Sequence, residues 1–504
     1  MMINQKKAGV IISYIGQIVN ILTGFIYTPI MLKILGQSEY GLYQLVYSVV
    51  SYLGLLSLGF GSSYMRFYAR EKAQDDEDGI ARLNGMFLII FCVISTVCII
   101  CGIIMLTQIK SIFGSGLTDA EYSIAKVLMM LMVINLALTF PNSVFNCIVT
   151  SQERFLFQKS LILIQYIMNP FLTLPILLLG GGSIGMVMAT TILTFGVLVT
   201  NIYYCIVRIK ARFVFRKLKL SLLKEMWVFT VFIFINQIVD QINWSVDKFL
   251  LGRLTGTASV AIYGVGGQIN NLYLQLSNSI SNVFIPKVNQ IVAESNDNDE
   301  LTILFTRVGR IQFIVVALVL SGFTFFGDTF IRYWAGNGYK EAYYVALLLI
   351  FPVTVPLIQN LGVEIQRAKN KHKTRSVIYF IIAIANVFIS IPLVKMLGPI
   401  GAAIGTAISL IVGNIIFMNW YYHYKLGINI VYFWRSIASF IPALIPSCIL
   451  GVISMLFINY DRLWEFMGAV AIYTLVYSIS MLYLGLNKEE KAIIMPIVRK
   501  VLRK

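Results

Sequence analysis

Charged residues are scarce in this 504-residue chain, at 12% against 58% hydrophobic residues, and the mean hydropathy is +0.80. Soluble proteins carry about 25% charged residues, so a large soluble domain is excluded. The two histidines, His372 and His423, fall in predicted loops, and all six cysteines lie inside apolar runs. Although Cys98 and Cys101 have CxxC spacing, no second pair or nearby histidine completes a zinc site. The sequence therefore predicts neither a metal site nor a disulfide framework.

Apolar runs separated by polar residues fill the chain instead. Because a spanning helix needs about 20 apolar residues, they predict an all-α integral membrane protein with about 14 transmembrane helices. The predicted spans are 8–32, 41–64, 85–107, 122–149, 160–179, 183–207, 226–251, 258–285, 309–330, 341–362, 377–396, 400–421, 436–458 and 464–485. The first run is too long for a signal peptide, so we expect a retained helix.

Lysine and arginine are divided unevenly between alternate loops. The 40 Lys and Arg residues exceed the 23 Asp and Glu residues, which gives a net charge of +17. With the N-terminus in the cytoplasm, inner segments hold 31 of the basic residues and outer segments hold eight. This bias predicts that both termini are cytoplasmic and that the number of spans is even. The positive charge then serves to orient the chain in the membrane, and no nucleic-acid partner is predicted.

Long outer loops are absent, since the longest predicted one runs only from 108 to 121. Membrane glycosyltransferases and polymerases that act on lipid-linked sugars use outer carboxylates for metal binding or acid–base chemistry. These loops offer only Asp119, Glu121, Asp328 and Asp461, each isolated. No catalytic residue is predicted, and a membrane glycosyltransferase or polymerase is kept as an alternative.

The two halves of the chain resemble each other. Eight positions between Ile15 and Ser57 match at an offset of 220, and a stretch beginning at Gly182 matches at an offset of 216. Chance similarity between apolar helices is the alternative. However, both offsets pair helices that have the same position in their half of the chain. Six helices separate the partners, which predicts a parallel repeat about an axis along the membrane normal. The predicted parts are an N-terminal six-helix lobe at 1–210, a C-terminal six-helix lobe at 211–425, and helices 13 and 14 with a basic cytoplasmic tail at 426–504.

Polar residues on predicted helices 7 and 8 form stripes. Their spacings of three and four place each set on one helix face. The stripes comprise Asn236, Asp240, Asn243 and Asp247 on helix 7, and Gln268, Asn271, Gln275, Asn278 and Asn282 on helix 8. An intramembrane charge costs about 2.5 kcal/mol or more, so Asp240 and Asp247 must face a cavity or a partner. We predict a water-filled cavity between the lobes, and interhelical hydrogen bonds are the alternative.

Three basic residues accompany these stripes. Lys248 borders the helix 7 stripe, and it either joins the cavity or extends to the nearby membrane surface. Arg66 ends helix 2 and Arg367 follows helix 10, where either would neutralise a phosphate entering from the cytoplasm. Alternatively, both arginines only help to set the orientation of the chain in the membrane. Asp240 and Asp247 are the candidate sites for a coupling ion, H⁺ or Na⁺.

Four segments at helix junctions resemble a known family. These are LGQSEYGLYQL (Leu35–Leu45), DKFLLGRLTGTASVAIYGVGGQI (Asp247–Ile269), RYWAGNGYKEAYY (Arg332–Tyr344) and GPIGAAIGTAIS (Gly398–Ser409). They are similar to turns of the bacterial polysaccharide repeat-unit (O-antigen or oligosaccharide) flippases of the multidrug/oligosaccharidyl-lipid/polysaccharide exporter superfamily. The resemblance covers about residues 8–425 and implies fourteen helices, two MATE-like lobes and alternating access. The family's charged cavity positions would correspond to Arg66, Asp247 and Lys248.

Together these features predict a transporter and not an enzyme. We expect it to flip lipid-diphosphate-linked oligosaccharide repeat units from the cytoplasmic to the outer leaflet for surface polysaccharide synthesis. Amide and hydroxyl groups suit a sugar, whose hydroxyls need new partners when water is left behind. Arg66, Arg367 and Lys248 suit the diphosphate.

The expected location is the bacterial cytoplasmic membrane, and no cofactor is predicted. Expected partners are the polyprenyl-diphosphate oligosaccharide, membrane lipid, and the polysaccharide polymerase and glycosyltransferases of the pathway. Two alternatives are a MATE-type cation or drug antiporter, for which Asp240 and Asp247 would supply negative charge, and a scaffold that recruits cell-wall enzymes.

Overall fold

The computed structural model describes most of the chain. The described residues are 2–57, 59–114, 116–216, 221–369, 371–458, 460, 462–488 and 490–492. For 2–7, 10, 60, 62, 221–233, 235, 236, 240, 372 and 373 only the backbone is described. In this part of the chain every regular element is helical and no β-strand occurs, which confirms the predicted all-α class.

The first half of the described chain contains long helices joined by short turns. They are α1 (Met2–Val50), α2 (Phe60–Ala73), α3 (Glu77–Thr107), α4 (Ile109–Phe113), α5 (Asp119–Ser151), α6 (Phe155–Leu178), α7 (Gly182–Tyr203), α8 (Ser221–Leu254) and α9 (Thr257–Ser281). A 3-10 segment, Ser51–Ser57, continues α1, and a π-helical segment, Tyr204–Arg208, continues α7.

The second half alternates long and short helices. They are α10 (Ile285–Glu294), α11 (Asn298–Trp334), α12 (Ala342–Ile358), α13 (Leu361–Ala368), α14 (His372–Leu410), α15 (Met418–Tyr421), α16 (Ile430–Ala438), α17 (Ile441–Phe457) and α18 (Leu463–Ser480). The π-helical segments Ile411–Phe417 and Tyr422–Leu426 flank α15, and a third, Met481–Gly485, continues α18.

The chain divides into two compact units. The first comprises 1–264 and 394–398, and the second comprises 265–393 and 399–504. Helix α9 therefore begins in the first unit and ends in the second. The predicted lobes were defined by sequence similarity between the two halves, whereas these units are defined by contacts. The predicted lobe boundaries therefore stay a prediction.

Glycines interrupt the two longest helices. Gly36 in α1 has φ 73° and ψ 175°, and Gly398 in α14 has φ 57° and ψ −130°. Residues with a side chain rarely adopt such positive φ values, which glycine tolerates because it has no Cβ. Both glycines lie within predicted turns, between spans 1 and 2 and between spans 11 and 12.

Several helices are long and apolar enough to cross a membrane. In the described residues there are eight candidates, or ten if each of two bent helix pairs forms one span. The chain is therefore a multi-pass membrane protein, as predicted, but the predicted count of 14 is not confirmed. One candidate, Ile11–Ser57, holds 47 residues, and at 1.5 Å per residue it would be about 70 Å long, over twice the hydrocarbon thickness. The break at Gly36 resolves this mismatch by dividing it into two arms.

Prolines interrupt the backbone hydrogen bonds of the first unit's helices. Helix α1 packs on α6, and α6 packs on α7. Pro170 and Pro175 lie inside α6, and Pro29 lies inside α1. A proline has no N–H to bond the carbonyl four residues earlier, so that carbonyl lacks its usual helical donor. Such carbonyls need a polar surrounding.

An aromatic core fills the second unit near α11 and α16. The ring of Phe305 lies 4.9 Å from that of Phe433 and 5.8 Å from that of Tyr422, and all three residues are buried. Helices α17 and α18 also pack on α11. The segment after residue 426 is thus an integral part of the second unit.

Candidate functional site

The helix 7 stripe lies on α8. The side chains of Asn236 and Asp240 lie outside the described residues. Asn243 is half-buried. Asp247 is only 1% exposed, and it accepts a hydrogen bond from the hydroxyl of Tyr263 on α9 at 2.6 Å. Asp247 therefore has a protein partner in the first unit.

Lys248 is also held inside the first unit. Its Nζ donates to Oε1 of Gln44 at 2.9 Å, and Nε2 of Gln44 donates to the hydroxyl of Tyr40 at 2.8 Å. Both partners lie on the second arm of α1. The side chain thus joins α8 to α1 instead of extending to a membrane surface.

A hydroxyl–amide network links α8 to the end of α1. Nε2 of Gln241 donates to Oγ of Ser51 at 2.5 Å and to Oγ of Ser245 at 2.7 Å. Gln241 borders the predicted stripe, and Ser51 belongs to the 3-10 segment. Gln241 thus makes an interhelical hydrogen bond, the predicted alternative to a cavity, whereas the water-filled cavity between the lobes stays a prediction.

The helix 8 stripe lies in the second unit, with Asn282 just beyond the end of α9 and the other four residues on α9. Gln268 and Gln275 are half-buried, and Asn271 is exposed. Asn278 accepts a hydrogen bond from Nδ2 of Asn360 at 2.7 Å. An exposed amide at membrane depth is stable where it contacts water and costly where it contacts acyl chains. Asn271 and Asn282 are the exposed members of this stripe.

Of the two predicted phosphate ligands, Arg367 lies in the last turn of α13. Arg66 was predicted to end helix 2, but it lies in the middle of α2 because the helical path breaks at Gly59 and a new helix begins at Phe60. Arg66 on α2 is exposed. Arg367 on α13 is 64% exposed, and its Nη1 lies 2.7 Å from Oε1 of Glu364. An exposed ion pair one turn apart contributes little to stability, about 0–1 kcal/mol, so Arg367 can exchange this carboxylate for another anion at small cost.

Glu121, a candidate for an outer catalytic carboxylate, is fully engaged. Its Oε1 accepts hydrogen bonds from Oγ of Ser38 at 2.7 Å and from Oγ1 of Thr257 at 2.8 Å. Its Oε2 accepts from the backbone N–H and the hydroxyl of Thr118, which form a capping box at the start of α5. The carboxylate therefore joins α1, α5 and α9, and this role is structural.

A polar cavity in the first unit was missed by the sequence analysis. It lies among α1, α6 and α7 and has a volume of about 320 Å³. Its polar lining includes the side chains of Asn20, Tyr27, Gln165, Asn169, Thr190 and Thr194. The available signal was a set of polar pairs four residues apart, Gln165 with Asn169 and Thr190 with Thr194, each too short to form a stripe.

The sequence and the fold agree on one family. Residues 7–292 match the family described as "Polysaccharide biosynthesis protein", which is more than half of the chain. The chain belongs to this family. No curated protein sequence matches the chain.

Solved structures share its fold. An inward closed lipid II flippase MurJ has a TM-score of 0.71 at 18% identity, covering 94% of this chain and 97% of that one. An inward-facing multidrug resistance MATE family transporter of the MOP superfamily has a TM-score of 0.60 at 16% identity, covering 80% and 93%. The Vibrio cholerae MATE transporter VcmN has a TM-score of 0.55 at 13% identity, covering 84% and 99%. At these identities the similarity shows a shared fold, and the chain thus has the fold of these proteins.

Proposed function

We propose that this protein flips a polyprenyl-diphosphate-linked oligosaccharide from the cytoplasmic to the outer leaflet by alternating access, for surface polysaccharide synthesis. The observation that carries the proposal is membership of a polysaccharide biosynthesis family by a chain that shares its fold with a lipid II flippase over 94% of its length. The membrane would be the bacterial cytoplasmic membrane, with both termini inside. The polymerase and glycosyltransferases of the pathway would be its partners.

The open amides of α8 and α9 are the proposed sugar contacts. Asn243, Gln268 and Gln275 are half-buried and Asn271 is exposed, so each side chain is at least partly accessible. Each sugar hydroxyl that leaves water needs a replacement partner, and amides both donate and accept. Asn236 lies in the same predicted stripe and is proposed with them.

The diphosphate would be bound by Arg66 and Arg367. Both are accessible, and guanidinium groups match phosphate oxygens in a bidentate geometry. Lys248 and Asp247 would act differently, because each is held by a protein partner. We propose that they fix α8 against its neighbours while the headgroup binds.

The membrane potential supplies part of the driving force in this proposal. With the inside negative, outward movement of an anion is favoured by about 2.3 kcal/mol per charge per 100 mV. A coupling ion, H⁺ or Na⁺, would bind at Asp240 or Asp247 if the transport is also ion-driven.

Reconstitution with the lipid-linked product of the neighbouring biosynthetic genes tests this function. Wild-type protein in liposomes is expected to expose the oligosaccharide to an added lectin on the opposite leaflet. Arg66→Ala should slow exposure about tenfold or more, since losing one charged hydrogen bond weakens binding by about 1.5–3 kcal/mol. Lys72→Ala removes the same charge from the exposed end of α2 and serves as the matched control.

A cation antiporter is the second candidate because multidrug MATE transporters share the fold. It predicts efflux of an organic cation such as ethidium from loaded liposomes under a proton gradient. Efflux that depends on Asp240, together with no exposure of oligosaccharide, would replace the flippase proposal with this one.

A further inference from the structure

The cavity of the first unit lies at mid-depth in three candidate spans. Its lining comes from Asn20–Tyr27 on the first arm of α1, from Gln165–Pro170 near the centre of α6, and from Thr190–Thr194 near the centre of α7. Water and polar side chains are costly at this depth unless they have hydrogen-bond partners. A polar cavity at this level therefore needs a function that offsets its cost.

The chemistry of the lining is polar and neutral. Asn20, Gln165 and Asn169 contribute amides, while Thr190 and Thr194 contribute hydroxyls, and none of the described residues that line the cavity is acidic, basic or histidine. A cation or a diphosphate would lose its hydration here without gaining an opposite charge. A neutral ligand that both donates and accepts hydrogen bonds has no such penalty.

The cavity contains a hydrogen-bond acceptor that lacks a donor. Oδ1 of Asn169 is buried and has no hydrogen-bond partner among the residues that the structure describes. Pro170, which also lines the cavity, has no N–H to bond the carbonyl of Tyr166. A buried acceptor without a donor costs about 1–3 kcal/mol. A ligand rich in hydroxyl donors removes this cost.

The size and the aromatic lining limit the ligand further. A volume of about 320 Å³ lies at the lower end of ligand pockets, which span about 300–1,000 Å³. Tyr27 and Tyr166 add rings that have an apolar face and a polar tip. A sugar ring has apolar C–H faces and hydroxyls at its edge, so it matches this lining. The space suits a single ring better than a whole repeat unit.

We propose that this cavity binds one uncharged glycosyl unit. The inference rests on the proposed function for the origin of the sugar, and it assigns sugar binding to residues of α1, α6 and α7 in addition to those of α8 and α9. The amides and hydroxyls bond the ring hydroxyls, and Oδ1 of Asn169 accepts from one of them. The cavity thereby selects for a neutral sugar at this position of the oligosaccharide.

The test is direct binding of methyl glycosides to the full-length protein in lipid nanodiscs. Saturation-transfer NMR is recorded with methyl β-glucoside and methyl N-acetyl-β-glucosaminide, and with inorganic diphosphate as the charged probe. Gly24 lines the cavity, and a Cβ at this position meets nothing within 4 Å. Gly24→Phe therefore places a ring at the cavity from a Cβ that meets no neighbouring atom. Gly196→Phe on the exposed side of α7 also meets nothing at its Cβ, and it is the matched control.

At least one glycoside is expected to give a signal with wild-type protein and with Gly196→Phe. Gly24→Phe should weaken its binding about tenfold or more and leave any diphosphate signal unchanged. Asn169→Leu should also weaken binding while the melting temperature is kept or raised, because the substitution removes an unpaired buried oxygen. A merely structural role for Asn169 would instead lower the melting temperature.

The proposal is overturned if neither glycoside binds wild-type protein, or if Gly24→Phe binds them as well as wild type does. The liposome assay separates this result from the flippase proposal. Glycoside binding that is lost in Gly24→Phe supports the cavity assignment even where no lipid-linked oligosaccharide is flipped. Flipping without glycoside binding refutes the cavity assignment alone.

Discussion

The most fully bonded charge in the described part of the second unit is Arg310. Its Nε lies 2.6 Å from Oε1 of Glu490, and its Nη2 lies 2.8 Å from Oε2, which makes a bidentate ion pair. Nη1 donates to the carbonyl of Ser436 at 2.5 Å and to the hydroxyl of Ser439 at 2.8 Å. The guanidinium also lies 4.2 Å from the ring centre of Phe440. This cluster joins α11 to α16 and to the segment after α18.

Replacing Glu490 should destabilise the protein strongly. Both partners are less than 10% exposed, and removing one partner of a buried pair leaves an uncompensated charge at a cost of about 3–5 kcal/mol. Glu490→Ala is therefore expected to lower the melting temperature of the purified protein clearly. Glu364→Ala, which breaks the exposed pair with Arg367, should cost about 1 kcal/mol or less. Equal shifts for the two variants would contradict this assignment.

The same pair predicts a pH dependence. Burial alone would raise the pKa of Glu490, but hydrogen bonds from Arg310 and the Asn487 backbone outweigh it and hold that pKa below its usual value. A lowered carboxyl pKa stabilises the fold above the unfolded-state pKa, about 4.3, and this contribution is lost as the pH falls through the folded-state value. The melting temperature of wild type should therefore fall below about pH 4, and that of Glu490→Gln should fall less.

At the scale of elements, close packing of α1 on the start of α9 depends on Gly41. A Cβ at this position would clash with the carbonyl oxygen of Thr257. That carbonyl belongs to backbone, which cannot rotate away as a side chain can. Only glycine allows the two helices to approach this closely.

Gly41→Ala should therefore force α1 and α9 apart. Overpacking of this kind costs about 1–3 kcal/mol, so we expect a lower melting temperature and slower oligosaccharide exposure in liposomes. Gly54→Ala is the control, since a Cβ at Gly54 meets nothing within 4 Å. If Gly41→Ala melts and transports as wild type does, the contact has no role.

The helices also show which sequence signals are reliable. Gly36 and Gly398 were predicted in turns because polar or glycine-rich residues interrupt apolar runs there. The partners of Lys248 were not predicted, because Gln44 lies 204 positions away and no local pattern joins them. The cavity was missed for a related reason, since it is formed by short polar pairs on three helices that only the fold brings together.

At the scale of the whole molecule, orientation is the testable consequence of the charge bias. Inner segments hold 31 of the 40 basic residues, so the predicted orientation places Lys72 inside and Lys340 outside. In intact cells, Lys340→Cys should react with a membrane-impermeant maleimide, and Lys72→Cys should react only after permeabilisation. Wild type is the control, because its six cysteines lie in apolar runs. The reverse labelling pattern would show that the chain has the opposite orientation in the membrane.

Composition and apolar run length were enough to predict the all-α class and the multi-pass membrane character. They were not enough for the number of spans, because α9 carries so many amides that it is not among the membrane-crossing candidates found in the described residues. Local sequence patterns also cannot predict long-range pairs such as Arg310 with Glu490, which are 180 positions apart. Such pairs depend on tertiary packing.

One carboxylate joins three helices of the first unit, since Glu121 of α5 holds Ser38 of α1 and Thr257 of α9 on a single oxygen. Moving either helix away breaks a hydrogen bond to a charged group, which costs about 1.5–3 kcal/mol. Water that reaches the carboxylate can replace both hydroxyls together. Separation of these helix ends therefore exchanges two hydrogen bonds to one carboxylate oxygen for bonds to water.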